Sequence, residues 1–126
     1  ASVGEDYIVA IRFGAYDYWE GGSKLEEIPI AVKSFIDSGV DLIDISGGLC
    51  RSRNPYSKAP GYFKELSKIA KDASSVPVIL TGGVKKARDA ENLLKEGYCD
   101  LIGIGRAMIM DAEWSKKALK SLENMQ

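Results

Sequence analysis

The sequence predicts a parallel α/β fold built from four βα units. Short apolar runs of strand length alternate with longer segments whose apolar residues recur at helical spacing, and this order repeats four times along 126 residues. Gly39 and Gly97 each follow a helical segment, where glycine is a common stop signal. Such alternation is typical of a parallel sheet whose strands are joined by right-handed helical crossovers.

The first two units fill the N-terminal half of the chain. Residues 7–13 (YIVAIRF) predict a strand, and residues 24–39 (KLEEIPIAVKSFIDSG) predict an amphipathic helix that stops at its final glycine. Residues 40–46 (VDLIDIS) predict the second strand. A polar loop follows, and a second helix is expected over residues 62–73.

The last two units repeat this order. Residues 76–81 (VPVILT) predict the third strand, with Pro77 near its start, where the missing N–H is tolerated. A helix is expected over residues 87–96, and residues 100–104 (DLIGI) predict the fourth strand.

The chain closes with helical sequence. A short helix is expected over residues 107–110, and DAEWSKKALKSLEN predicts an amphipathic helix with Asp111 as its N-cap. Two of the strands are nearly continuous apolar runs, which predicts a sheet buried on both faces. Two architectures remain: a small doubly wound sheet, or about half of a (β/α)8 barrel, which typically needs ~250 residues.

Composition narrows the function. The chain is 45% hydrophobic and 28% charged, which is enough for one ordinary core, and 17 basic against 18 acidic residues leave no excess of positive charge for nucleic acid. No apolar run approaches the ~20 residues that span a bilayer, and the N-terminus lacks the regions of a signal peptide, so no membrane partner and a cytoplasmic location are expected. Cys50 and Cys99 have no metal-like spacing, and the chain has no histidine, which excludes a zinc site or a Ser-His-Asp triad within it.

Small and cationic residues follow the last two strands. Gly82 and Gly83 come after the third strand, and Gly105 with Arg106 after the fourth. Glycine lets backbone N–H groups approach an anion closely, arginine binds phosphate with two donors, and the short helix adds its positive end. Glycines can also be plain turn residues and the arginine a surface charge. Two clusters after consecutive strands favour the phosphate interpretation and the barrel.

Four motifs match a known family: VGEDYIVAIRFGAYDYWEGG, GVDLIDISGG, VPVILTGGV and CDLIGIGRAMIMDAEW. Together they resemble the C-terminal half of the old yellow enzyme family, the FMN-dependent ene-reductases and NADH:flavin oxidoreductases. The resemblance implies that residues 1–126 form half of a (β/α)8 TIM barrel, four βα units corresponding to strands five to eight of an FMN-binding oxidoreductase. The missing initiator methionine also suggests part of a longer protein.

The resemblance implies a set of cofactor-binding residues. Arg12 matches the strand-five arginine that reaches N1 and the C2 carbonyl of the flavin, where negative charge develops when hydride arrives at N5. An arginine inside an apolar strand is costly unless paired, and a buried structural ion pair is the alternative. Gly82, Gly83, Gly105 and Arg106 match the family's phosphate-binding positions, with Gly83 contributing through its backbone.

Other residues have a structural interpretation beside a functional one. The loop 16–19 (YDYW) either lines the mouth of the site or packs, and Ser46-Gly47-Gly48 either gives a ligand room or forms a tight turn. Cys50, next to Arg51 and Arg53, is interpreted as a thiol without a role, and Cys99 as a core residue.

The resemblance also implies an activity. NADH or NADPH would reduce FMN, which would pass hydride to an activated alkene or similar small-molecule acceptor. The family's substrate-anchoring histidines and proton-donating tyrosine lie in the N-terminal half, so no catalytic residue is assigned here and the chain alone is expected to be inactive. Its two open sheet edges predict a homo-oligomer or association with an N-terminal half-barrel. The alternatives are a self-associating half-barrel scaffold, a phosphate-binding module without chemistry, or an isomerase or aldolase barrel, for which no acid–base pair or Schiff-base lysine is found.

Overall fold

The computed structural model describes residues 2–125, which form four parallel strands alternating with helices. The elements are β1 (Ala10–Gly14), α1 (Glu27–Asp37), β2 (Leu42–Ser46), α2 (Lys64–Ala73), β3 (Val78–Thr81), α3 (Ala87–Lys95), β4 (Leu101–Gly103), α4 (Arg106–Met110) and α5 (Trp114–Glu123). This is the predicted order of four βα units, and the short helix after the fourth strand is also present.

The sheet places its strands in sequence order, β1-β2-β3-β4, all parallel. The register pairs Arg12 with Asp44 across β1 and β2, and Thr81 with Gly103 across β3 and β4. A doubly wound sheet reverses its strand order at one point, whereas a barrel adds each strand beside the last. The sequential order therefore favours the barrel, and it brings the ends of all four strands to one edge.

The hydrophobic core lies between the helices and one face of this sheet. Alternate strand residues face it, since successive side chains point to opposite faces. Ile43, Ile45, Val78 and Leu80 are fully buried there. The helices and the preceding loops contribute the other side of the core, which includes Ile28, Val32, Phe63, Leu66, Ala70, Leu93 and Cys99.

The other face of the sheet is open, and the predicted burial of both faces is wrong for residues 2–125. Right-handed crossovers between strands in sequence order carry every helix to the same side. The open face carries the polar side chains of Arg12, Asp44 and Thr81 beside the apolar Ile79 and Leu101, and Leu101 is 47% exposed.

Aspartates fix where two strands begin. The Asp41 carboxylate accepts the N–H of Val9 at 2.9 Å, and the Asp100 carboxylate accepts the N–H of Val78 at the same distance. Each aspartate also donates its own N–H back to the carbonyl of its partner. The predicted start of β1 at residue 7 is wrong, because Tyr7 is 61% exposed and pairing begins only at Ala10.

The predicted N-cap of the last helix is also wrong. α5 begins at Trp114 after Glu113, and no side chain caps it. Asp111 forms the preceding turn instead: its carboxylate accepts the N–H of Glu113 at 3.1 Å and its carbonyl accepts the N–H of Trp114 at 3.0 Å. A separate turn between α4 and α5 therefore uses the residue that the sequence pattern assigned to the helix.

Candidate functional site

A cleft of about 850 Å³ opens at the carboxyl edge of the sheet. It is lined by all five residues predicted to bind the cofactor: Arg12, Gly82, Gly83, Gly105 and Arg106. They come from the ends of β1, β3 and β4, which are far apart in sequence. Ligand sites of parallel α/β folds occupy this edge, so the cleft has the expected location.

The cleft is strongly basic although the chain has a net charge of -1. Five cationic side chains line it and, within the described part of the chain, no aspartate or glutamate does; the cations are Arg12, Arg51, Arg53, Lys85 and Arg106. Of the five, only Arg12 takes part in an ion pair between described residues. The other four cations have no ion-pair partner among residues 2–125, which favours an anionic ligand.

Backbone donors are available beside these cations. No hydrogen bond among residues 2–125 uses the N–H of Gly82, Gly83 or Gly105. We call Gly82, Gly83, Gly105 and Arg106 the glycine–arginine cluster. Several N–H groups beside an arginine form a suitable environment for phosphate oxygens.

The glycines of the cluster are required for two different reasons. Gly83 has a φ of 71°, and a Cβ there would meet Cε1 of the Tyr62 ring, so the fold itself requires glycine. Gly105 has a φ of −104°, and a Cβ there would meet no atom of the described chain within 4 Å. No contact within the described chain requires glycine at position 105, whereas a ligand in the cleft would.

Tyr62 holds Arg106 in place and was missed by the sequence analysis. Its hydroxyl accepts a hydrogen bond from Nη2 of Arg106 at 2.9 Å and donates one to the carbonyl of Ser52 at 2.9 Å. Asn54 donates to the Tyr62 carbonyl at 2.7 Å. The cluster is thereby connected to the loop after β2.

Arg12 is oriented by an ion pair on the open face of the sheet. Its Nε and Nη2 both lie 2.7 Å from Oδ2 of Asp44, whose Oδ1 accepts the Thr81 hydroxyl at 2.7 Å. Gly103 stands opposite Thr81, where a Cβ would contact the hydroxyl. The alternative interpretation, a buried structural ion pair, is wrong, because the Arg12 side chain is 65% exposed although it is paired with Asp44. The guanidinium is held by its partner while staying accessible.

The aromatic loop after β1 packs rather than lining the cleft. The rings of Tyr16 and Tyr18 meet edge to face at 4.5 Å, and burial raises the pKa of Tyr18 to about 12. The Asp17 carboxylate accepts the N–H groups of Ser23 and Leu49, whose hydrogen bonds lower its pKa and join the loops after β1 and β2. The structure favours the packing interpretation for residues 16–18, whereas Trp19 is 73% exposed and also lies outside the cleft.

The glycines after β2 serve the fold in the same way. A Cβ at Gly47 would meet Phe63 and the Cys50 sulfur, and one at Gly48 would meet Asp17. Ser46 alone of that triplet lines the cleft. Cys50 is half-buried, Cys99 is buried as predicted, and both thiols are free.

The described residues offer neither a metal-ion site nor a membrane-crossing helix. Residues 2–125 contain no group of three or more histidine, cysteine or acidic side chains placed to hold a metal ion. None of the helices described is both long and apolar enough to cross a membrane.

A sequential parallel sheet with a basic, glycine-rich cleft at its carboxyl edge is typical of (β/α)8 barrels that bind phosphate groups. The sequence model of the NADH:flavin oxidoreductase / NADH oxidase family matches residues 1–125. The chain belongs to that family, which confirms the resemblance to the old yellow enzyme family. FMN is the family's cofactor and NADH or NADPH its reductant, so the family performs flavin-dependent NAD(P)H oxidoreduction.

Similar proteins are much longer than this chain. An NADH oxidase of Thermoanaerobacter brockii is 34% identical across 98% of the chain, which covers 20% of that protein. A metal reductase of Desulforamulus reducens is 31% identical across 94% of the chain and 18% of its own length. An NADPH dehydrogenase of Listeria innocua is 33% identical across 90% of the chain, which covers 33% of that protein. The chain thus spans about a fifth of the first two relatives and a third of the last.

A solved structure supports the same fold. A 2-naphthoyl-CoA reductase in complex with 2-naphthoyl-CoA matches 94% of the chain and 19% of its own, with a TM-score of 0.83 and 27% identity. The chain therefore folds as half of a (β/α)8 barrel, four βα units corresponding to strands five to eight. The predicted fold class is confirmed.

Proposed function

We propose that residues 1–126 form the FMN-binding C-terminal half-barrel of an NAD(P)H-dependent flavin oxidoreductase, which passes hydride to an activated alkene or similar small-molecule acceptor. One observation carries the proposal. A single cleft combines unused backbone N–H groups with five cations and, among the described residues, no carboxylate. FMN carries a phosphate monoester that suits such a cleft. Because the chain belongs to a family whose cofactor is FMN, FMN is also the expected cofactor here.

The residues of the cleft fit both ends of FMN, the phosphate and the flavin ring. The glycine–arginine cluster would bind the phosphate, with Arg106 donating from its guanidinium and Gly82, Gly83 and Gly105 from their N–H groups. Arg12 would face N1 and the C2 carbonyl of the flavin. FMN would supply the two-electron hydride chemistry. Asp44, itself fixed by Thr81, orients the Arg12 guanidinium before a ligand binds.

Arg12 would contribute electrostatically. A guanidinium whose position is already fixed costs little reorganisation when negative charge develops beside it. Asp44 contacts only the Nε and Nη2 atoms of the guanidinium, and both contacts go to the single oxygen Oδ2. The remaining N–H donors stay available on the open face.

The open face supports the proposal that the working protein contains a second half-barrel. Ile109 and Met110, on the short helix beside the cleft, are 82% and 85% exposed, and Leu101 is 47% exposed on the sheet. An N-terminal half-barrel or a second copy of this chain would cover this surface. The residues that anchor the acceptor and donate its proton would come from the other half, and the chain alone would be inactive. The free thiols of Cys50 and Cys99 fit the proposed cytoplasmic location.

The open face also favours a second candidate, a self-associating half-barrel that binds phosphate or nothing and has no chemistry of its own. An FMN titration, followed by flavin fluorescence and run beside size-exclusion chromatography, separates the two. The variants are Arg106→Ala and a control, Arg88→Ala, which removes an exposed charge outside the cleft.

We expect saturable binding that Arg106→Ala weakens about tenfold or more, a loss of about 1.4 kcal/mol, while Arg88→Ala binds as the wild type. A folded, associated chain that binds no FMN at high micromolar concentration would instead support the scaffold.

A further inference from the structure

The loop after β2 carries two arginines that the phosphate site does not use. Arg51, Ser52 and Arg53, here called the basic loop, line the same cleft as the glycine–arginine cluster. Both arginines are exposed, and neither forms an ion pair with any residue in the range 2–125. A solvated surface arginine needs no explanation, but two that border a cleft without carboxylates add to its field.

The basic loop is held in a defined conformation. The Ser52 carbonyl accepts the Tyr62 hydroxyl at 2.9 Å, and the Arg53 N–H donates to the Cys50 carbonyl at 3.2 Å. Arg51 and Ser52 both have positive φ values, 55° and 58°, which non-glycine residues rarely adopt. Such backbone persists when the surroundings fix it and is found often at ligand sites.

Charge in the cleft exceeds what FMN would neutralise. Asp44 already balances Arg12. A phosphate monoester carries a charge of about −1.5 to −2 at neutral pH, which Arg106 and one further cation would match. Roughly two of the remaining cations stay uncompensated, and the basic loop supplies two. The cleft therefore has capacity for a second anionic group.

The basic loop reaches the cleft from a different strand end than the glycine–arginine cluster. It follows β2, whereas the glycine–arginine cluster follows β3 and β4. Tyr62 lies between them, since its hydroxyl bonds Arg106 on one side and Ser52 on the other. The two groups of donors thus border one cleft from different strand ends.

We propose that the basic loop is a second anion subsite, which binds a phosphate group of the nicotinamide reductant while FMN occupies the glycine–arginine cluster. The assignment rests on the proposed function. In the proposed function NADH or NADPH passes hydride directly to FMN, so the nicotinamide has to reach FMN within this cleft, because hydride moves only over contact distance. NADH and NADPH both carry a pyrophosphate with two negative charges, and NADPH adds a 2′-phosphate.

The test uses the full 126-residue chain labelled with ¹⁵N. FMN is added first, and inorganic pyrophosphate is then titrated into the FMN-saturated chain. Amide shifts of Ser52 and Arg53 report on the basic loop, and those of Gly83 and Gly105 report on the phosphate site. The double variant R51Q/R53Q removes the subsite charges, and K86Q/R88Q removes two exposed charges that do not line the cleft.

We expect pyrophosphate to shift the loop amides without displacing FMN. The Kd of pyrophosphate should rise about tenfold or more in R51Q/R53Q, because two charge-assisted hydrogen bonds are lost. The FMN affinity of this variant should stay within about threefold of the wild type. K86Q/R88Q should change neither affinity appreciably. Repeating the titration with NAD⁺ and NADP⁺, which carry the same phosphates as the reductants but cannot reduce FMN, identifies the group bound: an equal loss in R51Q/R53Q indicates the pyrophosphate, and a larger loss for NADP⁺ indicates the 2′-phosphate.

Two results would overturn the subsite. Pyrophosphate could displace FMN and shift only the glycine amides, or R51Q/R53Q could weaken FMN as much as pyrophosphate. Failure of the proposed function would look different, since FMN would then leave the Gly83 and Gly105 amides unmoved. In that case pyrophosphate should still shift the loop amides of the FMN-free chain, and R51Q/R53Q should abolish this shift. If pyrophosphate does not shift these amides, or if the shift does not depend on Arg51 and Arg53, the subsite proposal is wrong.

Discussion

Replacing Gly105 by alanine separates what the fold requires from what the ligand requires. A Cβ at Gly105 meets no described atom within 4 Å, and the φ of −104° is negative. The substitution should therefore change the free energy of unfolding by no more than about 0.5 kcal/mol, as is usual for surface positions. The same methyl group would occupy space beside the N–H groups of the cleft. FMN affinity should fall about tenfold or more, which corresponds to about 1.4 kcal/mol.

Gly83→Ala is the matched comparison. Its φ of 71° is left-handed, which costs an L-residue about 1–2 kcal/mol. The new Cβ would also contact Cε1 of Tyr62. Together these effects should lower the free energy of unfolding by about 2 kcal/mol or more. Urea denaturation measures the stabilities, with linear extrapolation to water, and a fluorescence titration measures the FMN affinities.

The two glycines should thus behave oppositely in the stability measurement. The reasoning would be refuted if Gly105→Ala bound FMN as tightly as the wild type, because glycine would then serve no ligand at that position. A loss of stability in Gly105→Ala equal to that of Gly83→Ala would refute it as well.

Two other predictions follow from hydrogen bonds. Tyr62→Phe keeps the ring but removes the hydroxyl that accepts from Arg106, so FMN affinity should fall about threefold to tenfold and stability by about 1 kcal/mol or less, whereas Tyr56→Phe, outside the cleft, should change neither. Burial raises the pKa of Asp100, but the hydrogen bond from the first N–H of β3 and the ammonium of Lys71 outweigh it and lower the pKa below its usual range. Asp100 therefore stabilises the fold above about pH 4, and this contribution is lost as the pH falls through the lowered pKa. Unfolding measured across acidic pH should show this loss in the wild type and not in Asp100→Asn, and parallel profiles would contradict the assignment.

Much of the fold is predictable because its signals are local. The alternation of apolar runs with amphipathic segments, with a glycine after the first and third helices, predicts every strand and helix in the right order. The strand starts are less predictable, since residues 7–9 are as apolar as a strand but lie outside the ladder, and aspartates at positions 41 and 100 fix where pairing begins. Burial of the second face depends on whatever covers it, which no local pattern records.

Only part of the cleft can be predicted from the sequence, because only some of its residues lie beside a local signal. Gly82, Gly83, Gly105 and Arg106 directly follow strands, and the carboxyl edge of a parallel sheet is where ligands bind. The loop after β2 has no periodicity, so the folded chain is needed to bring its arginines and Tyr62 to the cleft. Two arginines separated by one residue after a strand were the available signal, and they were considered only as neighbours of Cys50.

Binding through the FMN phosphate distinguishes the proposed site from an apolar surface that binds only the flavin ring. Riboflavin has the same ring system without the phosphate, so the ratio of the two dissociation constants measures what the glycine–arginine cluster contributes. We expect riboflavin to bind about tenfold or more weakly than FMN, with the gap closing in Arg106→Ala and narrowing as salt is added. Equal affinities for FMN and riboflavin would contradict the assignment of the cleft as a phosphate site.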